Sequence, residues 1–258
     1  MSLNLNLFKK NKMTDETEAS PEDLLSNSTP FPIREAFNTL RTNVIFALAP
    51  TGGKTLLVTS SNPSEGKSTT ASNLAVALAQ NGNKVLLLDG DMRKPKLHKF
   101  FSADFSHGLS RFLVGLESLN EVLIHTEIPN LDFIPSGVIP PNPSELLGSG
   151  RMKVFLDKMC EYYNYIIVDT PPINVVTDAA VLSKYVSGVL IVVHYGVTSR
   201  DDFKKTNRQL EMAGANVIGF SLVAVKSEKS GGYSKNYYKK YYTYSSSPES
   251  SGETQSES

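Results

Sequence analysis

Residues 60–69 have the sequence Ser-Ser-Asn-Pro-Ser-Glu-Gly-Lys-Ser-Thr, and this stretch decides the fold. Its end, Gly66-Lys67-Ser68, is typical of a phosphate-binding loop. Glycine lets the backbone approach a phosphate, lysine reaches the β- and γ-phosphates, and the serine hydroxyl can ligate Mg²⁺. The general pattern has glycine where this chain has Ser61. A β-rich run precedes the loop and an apolar-faced helix follows it, a context that a chance turn before a helix would not require. We therefore predict a nucleotide-binding set that comprises Ser64, Glu65, Gly66, Lys67, Ser68 and Thr69.

Strand-like and helix-like segments alternate through most of the chain. The apolar spacing predicts helices over residues 32–49, 68–80, 151–162, 179–185 and 200–213. Apolar, β-rich runs predict strands over residues 55–59, 84–88, 131–134, 165–168, 188–194 and 217–225. Such alternation implies right-handed crossovers, and continuously apolar strands imply burial on both faces. The predicted fold class is α/β: a P-loop NTPase-like domain with a mostly parallel central sheet flanked by helices.

Three acidic residues follow two of these strands. Asp89 and Asp91 end the strand at residues 84–88, and Asp169 ends the strand at residues 165–168. A single aspartate after a strand is most simply a loop cap. In a parallel sheet, however, ligands bind at the carboxyl ends of the strands, so all three acids fall on the same edge as the phosphate-binding loop. We therefore predict an Mg²⁺–nucleotide site there.

Composition excludes several function classes. The chain has 258 residues, 26 basic and 26 acidic side chains, 40% hydrophobic residues and one cysteine. Zero net charge argues against non-specific nucleic-acid binding, and one cysteine excludes an internal disulfide or a cysteine-rich zinc site. The apolar runs have strand length, and the first twelve residues lack the apolar region of a signal peptide. We expect a cytoplasmic protein.

The two ends of the chain differ in composition from the middle. Residues 1–31 are polar and predict a flexible N-terminal arm, and residues 32–225 contain the predicted P-loop domain. Residues 226–244 carry five lysines, one glutamate and six tyrosines, and residues 245–258 have no apolar side chain. We predict a flexible tail over residues 226–258. Its tyrosine cluster is either a kinase substrate or an adhesive patch that binds polysaccharide or a partner. The six tyrosines are Tyr233, Tyr237, Tyr238, Tyr241, Tyr242 and Tyr244.

The ordered motifs resemble those of the bacterial tyrosine kinases that control capsule and exopolysaccharide synthesis. The resemblance covers residues 32–244 and is to the split type, a cytoplasmic kinase with a separate membrane-spanning activator. Asn62 distinguishes the chain from the partitioning ATPases, which have a second lysine at this position. The matching segments are residues 63–69, Leu87 to Pro95, Gly108-Leu109-Ser110, Pro135-Ser136-Gly137, residues 140–147, residues 167–172, Asp178-Ala179 and the tyrosine cluster.

The resemblance implies phosphoryl transfer from ATP, with Mg²⁺, to tyrosines on the tail of a neighbouring subunit. It implies that Lys67 holds the β- and γ-phosphates, that Ser68 and Asp91 ligate the metal, and that Asp169 supports it through water. Asp89 is the implied acceptor of the tyrosine proton. A phenol titrates near ~10 and a carboxyl near ~4, so this proton transfer is uphill early in the reaction. If the proton leaves late, Asp89 mainly orients the tyrosine hydroxyl. Arg93 either holds its own segment in place or contacts phosphate.

The resemblance also implies partners. They are a transmembrane activator of the polysaccharide co-polymerase type, which recruits the kinase to the inner face of the plasma membrane, a cognate tyrosine phosphatase and further copies of the chain, assembled as a ring. The family's self-association motif, E-x-x-R-x-x-R, keeps Glu35 and Arg41 here, but Asn38 replaces the middle arginine. This puts ring formation in question, and the alternative for this helix is simple packing on the sheet.

Two other function classes remain open at this point: a P-loop ATPase that uses hydrolysis as a timer, and a non-catalytic nucleotide-binding regulator of a membrane polysaccharide complex. We predict that Cys160 packs in the core and that the histidines at positions 98, 107, 125 and 194 are structural or surface residues, since they lack ligand spacing. Residues 200–202 predict a helix start, because their acids favour the helix dipole.

Overall fold

The computed structural model describes residues 19–225. Within this range the chain forms strands β1 (Thr55–Ser60), β2 (Val85–Asp89), β3 (Ile124–His125), β4 (Leu131–Ile134), β5 (Tyr165–Asp169), β6 (Gly188–His194) and β7 (Val217–Val223). They form one sheet in the order β3-β4-β2-β5-β1-β6-β7. All neighbours pair in parallel except β3 and β4. The predicted α/β class and mostly parallel sheet are therefore confirmed.

The helices that the sequence predicted lie within two or three residues of their expected bounds. Four helices of four to six residues, at residues 97–100, 109–114, 119–122 and 143–147, and strand β3 were not predicted. In chain order the helices of the described range are α1 (Phe31–Leu48), α2 (Lys67–Gln80), α3 (Leu97–Phe100), α4 (Leu109–Val114), α5 (Leu119–Val122), α6 (Pro143–Leu147), α7 (Gly150–Met159), α8 (Asp178–Ser183) and α9 (Arg200–Met212). Ser199 caps α9 by accepting the amide hydrogen of Asp202, which agrees with the predicted helix start.

The sheet is covered by helices on both faces, because alternate side chains of the central strands point to opposite sides. On one side, Leu56, Val58 and Leu87 pack in a cluster with α1 and α2. On the other, Leu57 and Leu86 pack in a cluster with α7, α8 and α9. Every residue of β1 and β2 is buried, as the continuously apolar strands predict. No helix in the described range is long and apolar enough to span a bilayer.

Part of the predicted N-terminal arm contacts the domain. Residues 1–18 of that arm lie outside the described range. Leu24 and Leu25, however, are buried in the cluster on the α2 side of the sheet. The amide of Leu25 donates to Asn73 Oδ1 at 2.7 Å, and Asn73 Nδ2 donates to the carbonyl of Asp23 at 3.0 Å. Residues 23–25 are thus held against α2 by both packing and hydrogen bonds.

The carboxyl ends of β1, β2 and β5 meet at one edge of the sheet, where they place the predicted acids. Asp89 and Asp169 are register partners at the ends of β2 and β5. Gly90, immediately after β2, donates its amide hydrogen to the Asp169 carbonyl at 2.8 Å. A Cβ at position 90 would lie 2.7 Å from that carbonyl oxygen, so the close approach of the two strand ends requires glycine there.

Candidate nucleotide-binding and phosphoryl-transfer site

The phosphate-binding loop connects β1 to α2 and has the backbone geometry that its sequence requires. Gly66 is the N-cap residue of α2 and has φ +85°. Ser64 has φ +61°, in the left-handed region that non-glycine residues rarely adopt. The first amide groups of a helix have no intrahelical acceptor, and together with the helix dipole they favour an anion at this position. The loop therefore presents an anion-binding helix N-terminus beside the ends of β2 and β5.

Lys67 lies between the carboxylates that the sequence placed at this edge. Its Nζ donates to Asp91 Oδ2 at 2.8 Å and lies 3.3 Å from Asp169 Oδ2. Ser68 Oγ donates to the same Asp169 oxygen at 2.6 Å. Four of the predicted site residues thus form one hydrogen-bonded group, although they come from three separate segments of the chain.

Burial determines the electrostatics of this group. The Lys67 side chain is 10% exposed and that of Asp169 is 0% exposed. Burial alone would lower the pKa of Lys67, but the charges of Asp169 and Asp91 outweigh it and raise the pKa of the ammonium. Burial raises the pKa of Asp169, against the opposing effect of Lys67. Lys67 is therefore a firmly protonated cation that holds two carboxylates together.

Asp89 has a different environment from the other two acids. Its Oδ1 accepts the amide hydrogen of Asp91 at 3.1 Å, and its Oδ2 accepts that of Leu97 at 3.2 Å. Burial, followed by the nearby charges of Asp169 and Asp91, raises its pKa well above the ordinary carboxyl range. A carboxylate has about four acceptor positions, so each oxygen retains one after these two bonds. The proton-acceptor role of Asp89 stays a prediction.

The donors at this edge fit Mg²⁺ chemically. Mg²⁺ prefers oxygen ligands and is usually held by one or two carboxylates together with nucleotide phosphates. Ser68, Asp91 and Asp169 supply a hydroxyl and two carboxylates within contact of Lys67 Nζ. Among residues 19–225 no group of three or more histidine, cysteine, aspartate or glutamate side chains forms a ready-made metal cage. An Mg²⁺ ion bound by these oxygens would compete for them with the ammonium of Lys67.

The phosphate-binding loop is supported by contacts that the sequence analysis missed. Glu65, predicted among the nucleotide-binding residues, has a buried carboxylate that accepts the Asn62 amide hydrogen at 2.9 Å and the Thr198 hydroxyl at 2.7 Å. Ser61, at the position where the general pattern has glycine, accepts a hydrogen bond from the Thr206 hydroxyl of α9 at 2.8 Å. The segment that follows β6 and helix α9 thus fix the outer side of the loop.

Two family motifs, at residues 108–110 and 135–137, lie against each other beside the site. Leu109 N donates to the Pro135 carbonyl at 2.8 Å, and Ser110 N donates to the Ser136 carbonyl at 2.9 Å. A Cβ at position 108 would lie 2.3 Å from the Pro135 carbonyl oxygen, which leaves room only for glycine. The two motifs therefore form one backbone contact at the end of β4.

The polar residues of the predicted self-association motif form a chain along α1. Asn38 Nδ2 donates to Glu35 Oε1 at 2.8 Å, and Arg41 Nη1 donates to Asn38 Oδ1 at 3.1 Å. Arg41 also donates to the carbonyl of Ala77 in α2 at 3.2 Å, and so ties the two helices together. The assignment of Glu35 and Arg41 to a subunit interface stays a prediction, as do the six phosphoacceptor tyrosines, which lie outside the described residues.

Glu117 is a buried carboxylate beyond the nucleotide site. It binds His107 Nδ1 at 2.7 Å, the Gly108 amide at 3.3 Å and the guanidinium of Arg111. Burial acts to raise the pKa of Glu117, but the hydrogen bonds from Arg111, His107 and Gly108 lower it overall. His107 is therefore a partner of a structural carboxylate, as expected of a structural residue. Cys160 packs against the core on the α7 side, which also agrees with the prediction.

The fold and this edge together define a P-loop nucleotide-binding protein of the α/β class. A family model described as an AAA domain matches residues 53–205. The tyrosine-protein kinase YwqD of Bacillus subtilis (strain 168) is 39% identical over 204 residues, which cover 79% of this chain and 85% of YwqD. The tyrosine-protein kinase etk of Escherichia coli (strain K12) is 37% identical over 229 residues, which cover 89% of this chain but 31% of that longer protein. The crystal structure of the chimerical protein CapA2B2 has a TM-score of 0.74 and 41% identity, and the match covers 80% of this chain and 91% of CapA2B2. The chain belongs to the bacterial tyrosine-protein kinase family.

Proposed function

We propose that the protein is an ATP-dependent protein-tyrosine kinase that phosphorylates the tyrosine cluster at residues 233–244 of another copy. The observation that carries this proposal is the group formed by Lys67, Ser68, Asp91 and Asp169 at the N-terminus of α2. This group places a cation and three oxygen ligands where a phosphate-binding loop presents its amides. Membership of the tyrosine-kinase family supports tyrosine as the acceptor.

The residues divide the chemistry among them. The loop amides and Lys67 would bind the β- and γ-phosphates. Ser68 and Asp91 would hold the metal, and Asp169 would support it through water. Bound Mg²⁺ neutralises charge on the phosphates during transfer. Asp89 is the proposed acceptor of the tyrosine proton, and its raised pKa reduces the difference in pKa between this carboxyl and a phenol. Phosphoryl transfer breaks the bond between the γ-phosphorus of ATP and its β-phosphate oxygen and forms a bond to the tyrosine oxygen. ADP is the leaving group, and the tyrosine proton passes to the Asp89 carboxylate or to water.

Charge complementarity supports the tail as the substrate. The five lysines and one glutamate of residues 226–244 give this segment a formal charge of +4. The site has three carboxylates and one ammonium, Lys67, and so attracts such a segment. Each phosphate would add about −1.5 to −2 charges, so a few of them reverse the sign of the tail. We propose that phosphorylation weakens tail docking and loosens the assembly, which light scattering before and after phosphorylation would detect.

The cellular role that we propose is control of capsular or exopolysaccharide synthesis at the membrane. The resemblance supports a separate membrane partner whose cytoplasmic segment recruits and activates the kinase, and a phosphatase that reverses the reaction. The neutral overall charge gives no support for nucleic acid as a partner.

The test measures the intact mass of the full chain after incubation with Mg·ATP. We expect the mass to increase in steps of one phosphate each. A variant in which all six tail tyrosines are replaced by phenylalanine should show no increase. Release of free phosphate without a change in mass would indicate an ATPase instead. If the mass stays unchanged and no phosphate is released, the protein is a non-catalytic regulator. Because the proposed activator can be required, a negative result counts only after repetition with the cytoplasmic segment of a membrane partner.

A mixing experiment tests transfer between copies. A Lys67→Met chain, which cannot bind phosphates normally, is combined with the six-fold tyrosine-to-phenylalanine chain, which has an intact site but no acceptor. Phosphate on the Lys67→Met chain demonstrates transfer in trans. If neither chain gains mass while the wild type does, phosphorylation occurs within one chain and that part of the proposal is wrong.

A further inference from the structure

Arg93 and Asp178 form a bidentate ion pair behind the proposed metal ligands. Arg93 Nε donates to Asp178 Oδ2 at 2.9 Å, and Arg93 Nη2 donates to Oδ1 at 2.9 Å. The Asp178 side chain is 0% exposed and that of Arg93 is 38% exposed. Two parallel charge-assisted bonds fix both the distance and the plane of the guanidinium. Of the two roles that the sequence left open for Arg93, the structure contains the one that holds its own segment in place.

Ser144 completes this cluster and links a third segment to it. Its hydroxyl donates to Asp178 Oδ1 at 2.5 Å and accepts from Arg93 Nη2 at 3.1 Å. Arg93 follows β2, Ser144 lies in α6 after β4, and Asp178 is the first residue of α8 after β5. The buried carboxylate of Asp178 therefore joins the loops that leave three neighbouring strands at the same edge of the sheet.

The cluster is connected to the site through a short and well-anchored piece of backbone. Asp91 stands two residues before Arg93, and its Oδ2 binds Lys67 while its Oδ1 accepts the amide hydrogen of Lys94 at 3.0 Å. The Asp91 amide in turn donates to Asp89. Residues 89–94 thus have the metal-ligand carboxylate facing the phosphate-binding loop and the guanidinium anchored to Asp178.

We infer that Asp178 is a positioning residue, which through Arg93 holds Asp91 in the orientation that the Mg²⁺–nucleotide complex requires. This inference rests on the proposed function only to the extent that the site binds Mg²⁺ with a nucleotide. The physical reason is that residues behind a metal ligand set its orientation, and their loss typically weakens metal binding by about 10- to 100-fold. Two of the three guanidinium nitrogens of Arg93, Nε and Nη2, already donate to Asp178. Arg93 therefore serves first to anchor its segment and not to bind phosphate.

The test measures how Mg²⁺ concentration controls binding of N-methylanthraniloyl-ADP to the full chain, followed by fluorescence. In Asp178→Asn the side chain keeps its size, but one acceptor oxygen becomes an NH₂ group that cannot accept from the guanidinium. We expect the half-saturating Mg²⁺ concentration to rise by about 10-fold or more. Nucleotide affinity in excess EDTA should stay at the wild-type value. Hydrogen exchange should increase at the amides of residues 91–94.

Two controls separate positioning from general damage. Asp157→Asn removes an aspartate of the same size whose partner, Lys153, is exposed on α7, and it should leave the Mg²⁺ dependence unchanged. If Asp178→Asn lowers the thermal stability but keeps the wild-type Mg²⁺ dependence, Asp178 is purely structural and the inference is overturned. If Asp178→Asn does not fold, Arg93→Lys takes its place, since lysine keeps the charge but loses the planar pair of donors.

The double variant Arg93→Met/Asp178→Asn, compared with each single variant, tests whether the two residues act through each other. If they do, the half-saturating Mg²⁺ concentration of the double variant rises by the same factor as that of the more affected single variant. A rise equal to the product of the two single factors would contradict the inference. A wild-type protein that binds Mg²⁺ and nucleotide normally but adds no phosphate to tyrosine would refute the kinase proposal and leave the positioning role intact. A wild-type protein without Mg²⁺-dependent nucleotide binding would refute both.

Discussion

The replacement of Lys67 by methionine tests whether the ammonium holds the nucleotide-free site together. In the structure Lys67 Nζ is the cation between Asp91, at 2.8 Å, and Asp169, at 3.3 Å. Lys67→Met keeps most of the side-chain volume but leaves two buried carboxylates facing each other. We therefore expect the variant to be destabilised even before any nucleotide is added, in addition to its loss of kinase activity.

The magnitude follows from burial. Removing one partner of a buried ion pair costs about 3–5 kcal/mol of the free energy of unfolding. For a domain of this size that corresponds to a fall in Tm of about 6–20 °C. Lys153 provides a matched control, because it pairs with Asp157 at 2.6 Å but both side chains are more than half exposed. Lys153→Met should have little effect on stability, since exposed ion pairs contribute little.

The assay is urea denaturation of the full chain without nucleotide, in EDTA and then in excess MgCl₂. Mg²⁺ should stabilise Lys67→Met more than the wild type, because in the wild type the ion has to displace the ammonium from the same oxygens. If Lys67→Met and Lys153→Met have the same small effect in EDTA, the buried ion pair does not form in solution. If Mg²⁺ stabilises both proteins equally, the proposed competition for Asp91 and Asp169 is wrong.

Three further predictions concern the contacts that surround the site. Glu117→Gln should cost about 1–3 kcal/mol of unfolding free energy at pH 7. The folded-state pKa of Glu117 is lowered, so its contribution is present above the unfolded-state pKa of about 4.3 and is lost as the pH falls through the folded value. An equal cost at pH 7 and pH 3 in urea denaturation would contradict this. Thr198→Val removes a donor to the buried Glu65 carboxylate and should weaken nucleotide binding by about 2- to 10-fold in a fluorescence titration. Unchanged affinity would mean that the loop keeps its shape without this bond. Ser61→Gly restores the general loop pattern but removes the bond to Thr206, so it should lower the unfolding free energy by about 0.5–1.5 kcal/mol and leave nucleotide affinity unchanged. A change in affinity of tenfold or more would show that the Ser61 side chain takes part in binding.

The sequence predicted those parts of the molecule that depend on local pattern. The continuous apolar strands predicted a sheet buried on both faces, and β4 has the bounds that were expected. The convergence of Lys67, Asp91 and Asp169 followed from a topological rule, because the carboxyl ends of parallel strands share one edge. The short helices were missed for a physical reason: α3 and α5 have 4 residues each, barely one turn, so they present no periodic apolar face.

The contacts that support the site were not predictable, because they join residues far apart in the chain. Thr198 lies 133 positions from Glu65, and Thr206 lies 145 positions from Ser61. Thr198, just before α9, and Thr206, within that polar helix, carry no local sequence signal of a buried partner. The polar composition of residues 1–31 likewise concealed Leu24 and Leu25, two adjacent leucines that the fold buries. In each case tertiary packing, which composition averages over, determines the outcome.

The charge of the site indicates in which order it is filled. If all its groups are ionised, Asp89, Asp91 and Asp169 outnumber Lys67 by two charges, and all four side chains are buried. Such an excess is costly in a low-dielectric interior, and the raised pKa of Asp89 reflects that cost. A nucleoside triphosphate without a metal ion would bring further negative charge to the same edge. Only Lys67 and the amides of the phosphate-binding loop would offset that charge. A nucleotide that carries a divalent cation brings two positive charges to the carboxylates and releases Lys67 toward the phosphates. The charge balance therefore favours binding of the nucleotide together with its metal ion over binding of the free nucleotide.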